Sequence, residues 1–584
     1  MPHGTLSLLA CISLLPGALS APSHHPSPHC RFLPGDRQWP RNSDWAQLNT
    51  TVSGRLIAGK PLAHVCHGPD YDAAACAEVR NRWSEPPLYF PDPVNVMSPY
   101  WLNLTCSPFS DRDNAPCELG NLASYAINVT SAEDVVAGLA FAQNHNIRVQ
   151  VKNTGHDYLG RSTGPGSLAL WTHNLKDIAF INYTSPQYTG PAAKLGAGVQ
   201  AFDAYKVAAE HGLRVVGGYC PTVGIAGGYL QGAGHGPLLG AYGLAADNVL
   251  EFEAVTVDGR HLTASPTSHA DLFWALSGGG AGNYAVVLSV TTKAHRDGVV
   301  AGGSLTVDHL QNGDDEAFWE AVQAWHRRLL VFDTIPGLTT VYRITNASFQ
   351  VTQATLVDHP ASDLEDNLRP FLRELDALGL HYTYEVNDHP SYYGHFATYN
   401  PGLPYGSYLN NETIGGRLVS RETVRERLPE LTAVLRNITS TQTGTGAPVN
   451  VNGVAGNATH LRTVTAPGRN AVLPAWREAL YHLIIEEWFD GAGPVDVFQE
   501  AQAAVNEHQE LLRAVDPEGG AYINEATFDN PAWKEDYFGE NYGELLRIKK
   551  RYDPDFVLYG PSAVGSDAWT RTAEGRLCRR HLDL

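Results

Sequence analysis

Beyond its first twenty residues the sequence has no long uninterrupted apolar run, so no membrane anchor is expected. Basic residues are few: 41 Lys and Arg stand against 61 Asp and Glu, a net charge of −20. That balance repels nucleic acid and anionic lipid surfaces and favours a soluble protein with a neutral or cationic small-molecule partner. There is no H-E-x-x-H and no cysteine pair at zinc-knuckle spacing, so no metal is expected. GAGVQA, residues 196–201, follows a candidate strand and fits the dinucleotide fingerprint. No acidic residue lies about 20 positions on to hold a ribose hydroxyl, which argues against a nicotinamide enzyme. Only 17% of residues are charged and 43% are hydrophobic, a globular composition, and 584 residues exceed a single ordinary core.

The N-terminus reads as a secretory leader. LSLLACISLL is an apolar core too short to span a bilayer, and Ala18 and Ser20 supply small residues for cleavage before Ala21, although no Lys or Arg precedes the core. Asn49, Asn103, Asn128, Asn182, Asn346, Asn411, Asn437 and Asn457 each begin an N-x-S/T sequon, so the chain is expected to be secreted and N-glycosylated. With Cys11 removed in the leader, Cys30, Cys66, Cys76, Cys106, Cys117, Cys220 and Cys578 remain. Proximity pairs Cys66 with Cys76 and Cys106 with Cys117, leaving Cys30 for Cys578. The odd thiol, Cys220, lies alone in a glycine-rich stretch and needs another task.

Five segments are expected: a leader (1–20), a proline- and cysteine-rich surface-wrapping extension (21–120), a first α+β domain (121–297), a second domain with its own sheet (298–515) and a C-terminal segment (516–584). SAEDVVAGLAFAQNHN has the acidic first turn and apolar spacing of a helix, and IRVQVKN alternates as a strand. AKLGAGV, LEFEAVTV and YAVVLSVTTKA are further strands, with FDAYKVAAEHG a helix between the first two. In the second domain GGSLTVDHL and TTVYRITNASFQVTQATLV predict strands. EDNLRPFLRELDALG and LPAWREALYHLIIEEW predict helices, as does YGELLRIKKRY near the C-terminus.

Three glycine-rich stretches carry the chemistry. VKNTGHDYLGRSTG (151–164) leaves a strand and turns on glycines whose backbone N–H groups can converge on a pyrophosphate. His156 sits at that turn; taken alone, a histidine there is more often a hydrogen-bonded structural residue. GGYCPTVGIAGGYLQGAGHGPLLGAYGLAADN (217–248) lets backbone approach a flat ligand closely, against the plainer reading of a mobile loop. DLFWALSGGGAGNYAVV (271–287) places glycines just before a strand.

In this order the three stretches resemble the vanillyl-alcohol-oxidase-type flavoproteins, and among them the berberine-bridge-enzyme-like oxidases, including secreted fungal members described as isoamyl alcohol oxidases. GHDYLGRS, GGYCPTVG and NYGELLRIKKRYDP (541–554) carry the likeness. The resemblance implies an α+β fold with a two-subdomain PCMH-type FAD-binding domain and a substrate domain built on a large antiparallel sheet flanked by helices. It implies FAD bound covalently through His156 and Cys220, which would also account for the odd thiol. Around them it puts at the cofactor Asn153, Thr154, Gly155, Asp157, Tyr158, Gly160, Arg161 and Ser162. From the second stretch come Pro221, Thr222, Val223, Gly224, Gly227, Gly228, Gly232, Gly234 and Gly236, and further on Asn283 and Asn541. The implied reaction is hydride transfer from a C–H beside oxygen or nitrogen, in a small-molecule substrate, to the flavin, with molecular oxygen as acceptor and a monomeric enzyme. A flavin dehydrogenase with another acceptor and a non-catalytic flavin-binding glycoprotein are the competing readings.

The family's C-terminal YxNY stands here as YINE. Glu525 therefore occupies the place of a tyrosine base, where a carboxylate could take the substrate proton, bind an amine, or form a salt bridge anchoring the C-terminal segment. Tyr522 and Asn524 are candidates for hydrogen bonds to substrate or flavin. Val223, three residues after Cys220, stands where the family admits or excludes oxygen.

Overall fold

The computed structural model describes residues 29–98, 101, 105–110, 117–406, 411–442, 444, 446–459, 469–491 and 495–580. The leader with its cleavage site and the sequon at Asn103 lie outside these residues.

Three large sheets organise the described chain, beside a two-stranded pair of Trp569–Arg571 with Leu577–Arg579. The first holds β1 (Leu56–Ala58), β2 (Tyr125–Asn128), β3 (Arg148–Lys152) and β4 (Ser167–Trp171), in the order β1-β2-β4-β3. β2, β4 and β3 run parallel, and β4 is buried throughout, as parallel strands covered on both faces are. The helix Ala132–Asn144 links β2 to β3. The N-terminal extension does more than wrap the surface: β1 pairs antiparallel with β2, and Trp45 and Leu48 of its helix Asn42–Thr51 enter the core with Val135 and Leu139.

The second sheet contains β5 (Ile178–Thr184), β6 (Thr189–Gly196), β7 (Leu213–Val215), β8 (Val249–Val255), β9 (His261–Ala264) and β10 (Val286–Arg296). Its order is β5-β6-β10-β8-β9, with β7 on the far end of β10, all antiparallel.

The third sheet joins β11 (Val300–Asp308), β12 (Leu338–Ile344), β13 (Ser348–Val357), β14 (Tyr382–His389), β15 (Glu412–Ser420), β16 (Asn450–Gly456) and β17 (Ala479–Trp488). The order is β14-β11-β13-β12-β16-β17-β15, antiparallel throughout. The helices Asp315–Phe332, Ala361–Ala377, Leu428–Ser440 and Val495–Val515 share a core with one of its faces, centred on the fully buried Trp325 packed among Phe332, Tyr342, Phe349 and Phe371. Truncating such a side chain costs about 3–5 kcal/mol.

One expected helix is a strand. LPAWREALYHLIIEEW makes a single helical turn, Ala475–Glu478, and then becomes β17 between β16 and β15. The run is apolar enough to be buried on both faces, so it shows no clear two-residue alternation, and its alanine, leucines and glutamates favour helix in isolation; pairing with two neighbours overrides that preference. Tyr481, Leu483 and Ile485 face the helices. His482, Ile484 and Glu486 therefore face the other way.

The C-terminal segment returns to the first half of the molecule. Leu558 bridges Val149 of β3, and Ile523, Leu545, Ile548 and Val564 share a core with residues of β6, β8 and β10. The fully buried Lys549 on helix Tyr542–Tyr552 pins it: its ammonium donates to the carbonyls of Asn283 (2.5 Å) and Leu558 (2.8 Å) and to the carboxylate of Asp553 (2.6 Å). Three disulfides, Cys30–Cys578, Cys66–Cys76 and Cys106–Cys117, take six cysteines and leave Cys220 as a thiol. No helix among the described residues is long and apolar enough to cross a membrane.

Candidate active site

Two loops meet at the base of a large cavity. The first leaves β3 at Lys152 and turns at Gly155, whose φ of +96° suits glycine. Asp157 rigidifies it, its carboxylate accepting from the backbone N–H of Arg161 (3.0 Å) and Ser162 (2.8 Å) and from the Ser162 hydroxyl (2.6 Å). His156 is thereby held at the turn. The second loop follows β7; the side-chain amide of Gln200 donates to the Thr222 carbonyl (2.8 Å) and fixes it.

His156 Nε2 lies 2.8 Å from the Thr222 hydroxyl and 3.9 Å from Cys220 Sγ, with Sγ 3.5 Å from the same hydroxyl. Burial raises the Cys220 thiol, but the charge and hydrogen bond of His156 and the Thr222 bonds outweigh it and bring the thiol down to about 7. At neutral pH much of it is thiolate, the nucleophilic form.

The cavity measures about 520 Å³ and opens between the glycine-rich loops and the third sheet. Its walls include Asn153, Thr154, Gly155, His156, Asp157, Tyr158, Arg161 and Ser162 from the first loop, and Cys220, Val223, Gly224, Gly227 and Gly228 from the second. A Cβ added at Gly228 or Gly282 meets nothing closer than 3.9 Å, so glycine at these lining positions keeps the space open. Tyr522, Asn524 and Glu525 complete the floor. Asn524 Nδ2 donates to the Tyr522 hydroxyl and to the Gly228 carbonyl, both at 2.8 Å, tying the C-terminal segment to the glycine loop.

Glu525 Oε2 accepts from two imidazoles, His235 Nε2 and His482 Nε2, each at 2.9 Å. The histidines are 5% and 0% exposed, while a quarter of the Glu525 side chain is open. Burial pushes the carboxyl up, but His235 and His482 outweigh it, and the net direction is well below the ordinary carboxylate range. Burial holds His482 below the usual imidazole value, so it is neutral at pH 7. The three ligand atoms lie within 4.8 Å of one another, a grouping able to hold a metal ion that no motif announced; the 2.9 Å separations are hydrogen-bond lengths.

Several residues expected at the cofactor do not line the cavity. A side chain at Gly160 would strike Trp101, and at Gly232 the Asn524 amide, so both permit close packing. Gly234, at φ +76°, and Gly236 serve the turn and backbone approach behind the wall. The Pro221 carbonyl accepts from Phe202 N–H, and Thr222 stands one step back, behind His156 and Cys220. Asn283 Nδ2 donates to the Val564 carbonyl (3.1 Å), and Asn541 Nδ2 to that of Val472 (3.1 Å); both brace the C-terminal segment. Sequence reasoning passed over His235 and His482. The first is a lone histidine between two glycines; the second is hidden in the strand misread as helix. It also missed Arg343, Glu412, Asn452 and Glu486, which face the cavity from the third sheet.

Residues 123–265 match the family model of an FAD binding domain, and residues 521–564 that of berberine and berberine-like proteins. The chain is 44% identical over 589 residues to a VAO-type flavoprotein oxidase, VAO615, of Thermothelomyces thermophilus, covering 99% of this chain and 100% of that one. This chain belongs to the VAO-type, berberine-bridge-like FAD-linked oxidoreductases. The crystal structure of the VAO-type flavoprotein MtVAO615 from Myceliophthora thermophila superposes with a TM-score of 0.89 at 43% identity, covering 94% of this chain and 100% of that one. The FAD-linked oxidoreductase ZEB1 of Gibberella zeae is 39% identical over 574 residues, 98% of this chain and 99% of that one. A more distant structure, the glucooligosaccharide oxidase of Acremonium strictum, described with a 6-S-cysteinyl, 8α-N1-histidyl FAD, shares the fold at 18% identity and a TM-score of 0.60, covering 76% of this chain and 92% of that one.

Proposed function

We propose that this FAD-linked oxidoreductase is a secreted, N-glycosylated oxidase of small neutral alcohols that holds FAD through both His156 and Cys220. The observation that carries the reading is the pairing of an activated thiol with a fixed imidazole, 3.9 Å apart, at one edge of the cavity. The cavity fits the group. Asn153 Oδ1, Tyr229 Oη and Gln231 Oε1 are buried there without a partner, and a polar ring system would supply partners for them. Bound there, FAD would take a hydride from the substrate carbon and pass the electron pair to oxygen, giving hydrogen peroxide.

The chain's own part is orientation and proton transfer. Glu525, anionic and facing the cavity, accepts the substrate hydroxyl and so aims its carbon. As the hydride leaves, that hydroxyl becomes a protonated carbonyl, an acid far stronger than a carboxylic acid, so a weakly basic carboxylate suffices to take the proton. His235 and His482 keep Glu525 ionised and immobile. Val223, with one methylene less than leucine, leaves room for oxygen beside Cys220. Anaerobic mixing with a panel of alcohols tests the reading: at least one should bleach the flavin, and readmitted air should restore it with stoichiometric peroxide. A flavin that bleaches but stays reduced for minutes in air assigns a dehydrogenase; one that no substrate bleaches assigns a binding protein.

A further inference from the structure

The face of the third sheet turned to the cavity carries two polar centres. Alternation puts Val341 and Arg343 of β12, Thr352 of β13, Asn452 and Val454 of β16, and Ile484 and Glu486 of β17 on that face, joined by Glu412 at the start of β15. The first centre is His482 with Glu525. The second is Glu412, Glu486, Arg343 and Asn452. Asn452, paired with Arg343, stands opposite Ile484, two residues or about 7 Å along the strand from His482, and Glu486 is four residues or about 13 Å from it. Ile484, opposite Asn452, and Val454, opposite His482, give the same face an apolar edge.

The second centre is built but incomplete. Arg343 Nε donates to Asn452 Oδ1 (2.8 Å), its terminal nitrogen stands 3.7 Å from Glu486 Oε2, and Asn450 Nδ2 donates to that oxygen (3.1 Å). Asn452 Nδ2 has no partner, although Asn452 is only 8% exposed and lines the cavity. A buried amide donor left unpaired costs about 1–3 kcal/mol, and the remedy is an acceptor on a ligand. Glu412 meets the Tyr158 hydroxyl at only 3.5 Å. Burial and the neighbouring charge of Glu486 push its carboxyl well above the ordinary range, which favours the protonated form, able to donate as well as accept.

We propose that Asn452, Arg343, Glu412 and Glu486 form a second polar subsite that takes a hydroxyl group of a neutral substrate, about 7–13 Å along the sheet from the His482–Glu525 centre at which the other end is oxidised. A hydroxyl can accept from Asn452 and donate to a glutamate in the same pose. A ligand carboxylate would face Glu486, and an ammonium would face Arg343, so neither charge suits the subsite. The position of the oxidised end rests on the function proposed above; the subsite does not.

The experiment is anaerobic calorimetric titration of the holoenzyme with 1-nonanol, 1,9-nonanediol and 9-amino-1-nonanol, chains long enough to span the separation, with flavin bleaching followed separately. The diol is expected to bind at least about tenfold more tightly than the monoalcohol, and the amino alcohol no better than the monoalcohol. In Asn452→Leu the advantage of the diol should fall below about threefold, in proportion to the lost bond. Should that variant misfold, Glu412→Leu serves, because it removes a half-buried carboxyl and fills similar volume. Equal affinities in wild type, no binding by any probe, tightest binding by the amino alcohol, or an advantage that survives substitution overturns the subsite. Diol preference without bleaching keeps the subsite and removes the oxidation reading for these alcohols; bleaching without preference does the reverse.

Discussion

Replacing Glu525 probes the centre of the site in two independent ways. In wild type two buried imidazole N–H groups donate to one carboxylate oxygen. Glu525→Gln keeps an oxygen able to accept both bonds but removes the charge. Charge-assisted bonds contribute about 1.5–3 kcal/mol and neutral ones about 0.5–1.5, so the pair loses roughly 2–3 kcal/mol at pH 7. Glu525→Leu leaves both donors unpaired, at about 1–3 kcal/mol each, or roughly 2–6 in total. The order wild type, Gln, Leu should appear in urea midpoints of the holoenzyme. The pH dependence has a definite sign. The folded-state carboxyl is depressed, so its contribution is fully present above the unfolded value of about 4.3 and declines as pH falls below it toward the folded value. The gap between wild type and Gln should therefore close from pH 5 to pH 3. Anaerobic stopped flow should show flavin reduction slowed at least about tenfold in Gln. A gap that widens in acid would mean the carboxyl is held neutral, and unchanged reduction would return Glu525 to a structural role.

Lys549→Met strands the buried Asp553 carboxylate and should cost about 3–5 kcal/mol in a denaturation titration; a loss below about 1 kcal/mol would mean the C-terminal segment is not pinned there. Val223→Leu should slow reoxidation of the reduced flavin by oxygen much more than it slows reduction; equal effects on both steps would remove the gate. Glycopeptide mapping should find glycans on the exposed Asn182, Asn346 and Asn437 and none on Asn457, which is 9% exposed and whose amide donates to the Asp333 carbonyl; a glycan on Asn457 would contradict that packing.

The glycine segments were legible because the chemistry they serve needs local sequence: a turn at Gly155, a histidine on it, and a cysteine in a run that backbone must approach. The disulfides followed from proximity and parity. The partners of Glu525 were not legible, because His235 and His482 come from segments 290 and 43 residues away and meet it only in the folded chain. Misreading β17 as helix hid His482, Ile484 and Glu486 together, since assigning a period of 3.6 instead of 2 sends these side chains in different directions. Gly160, Gly232, Asn283 and Asn541 sit in the glycine-rich and C-terminal motifs and pack against or brace other protein segments, contacts that a motif does not distinguish from contact with a ligand.

The double tether is tested most directly by denaturing the purified holoenzyme, precipitating it with acid and following the yellow colour. The account requires that the flavin stay with the protein, and that digestion yield one flavin-bearing species joining the peptide around His156 to the peptide around Cys220. His156→Ala or Cys220→Ala should each leave a single link, and the double variant should release its flavin on denaturation. Free FAD in the supernatant of the wild-type protein would contradict the account at its centre.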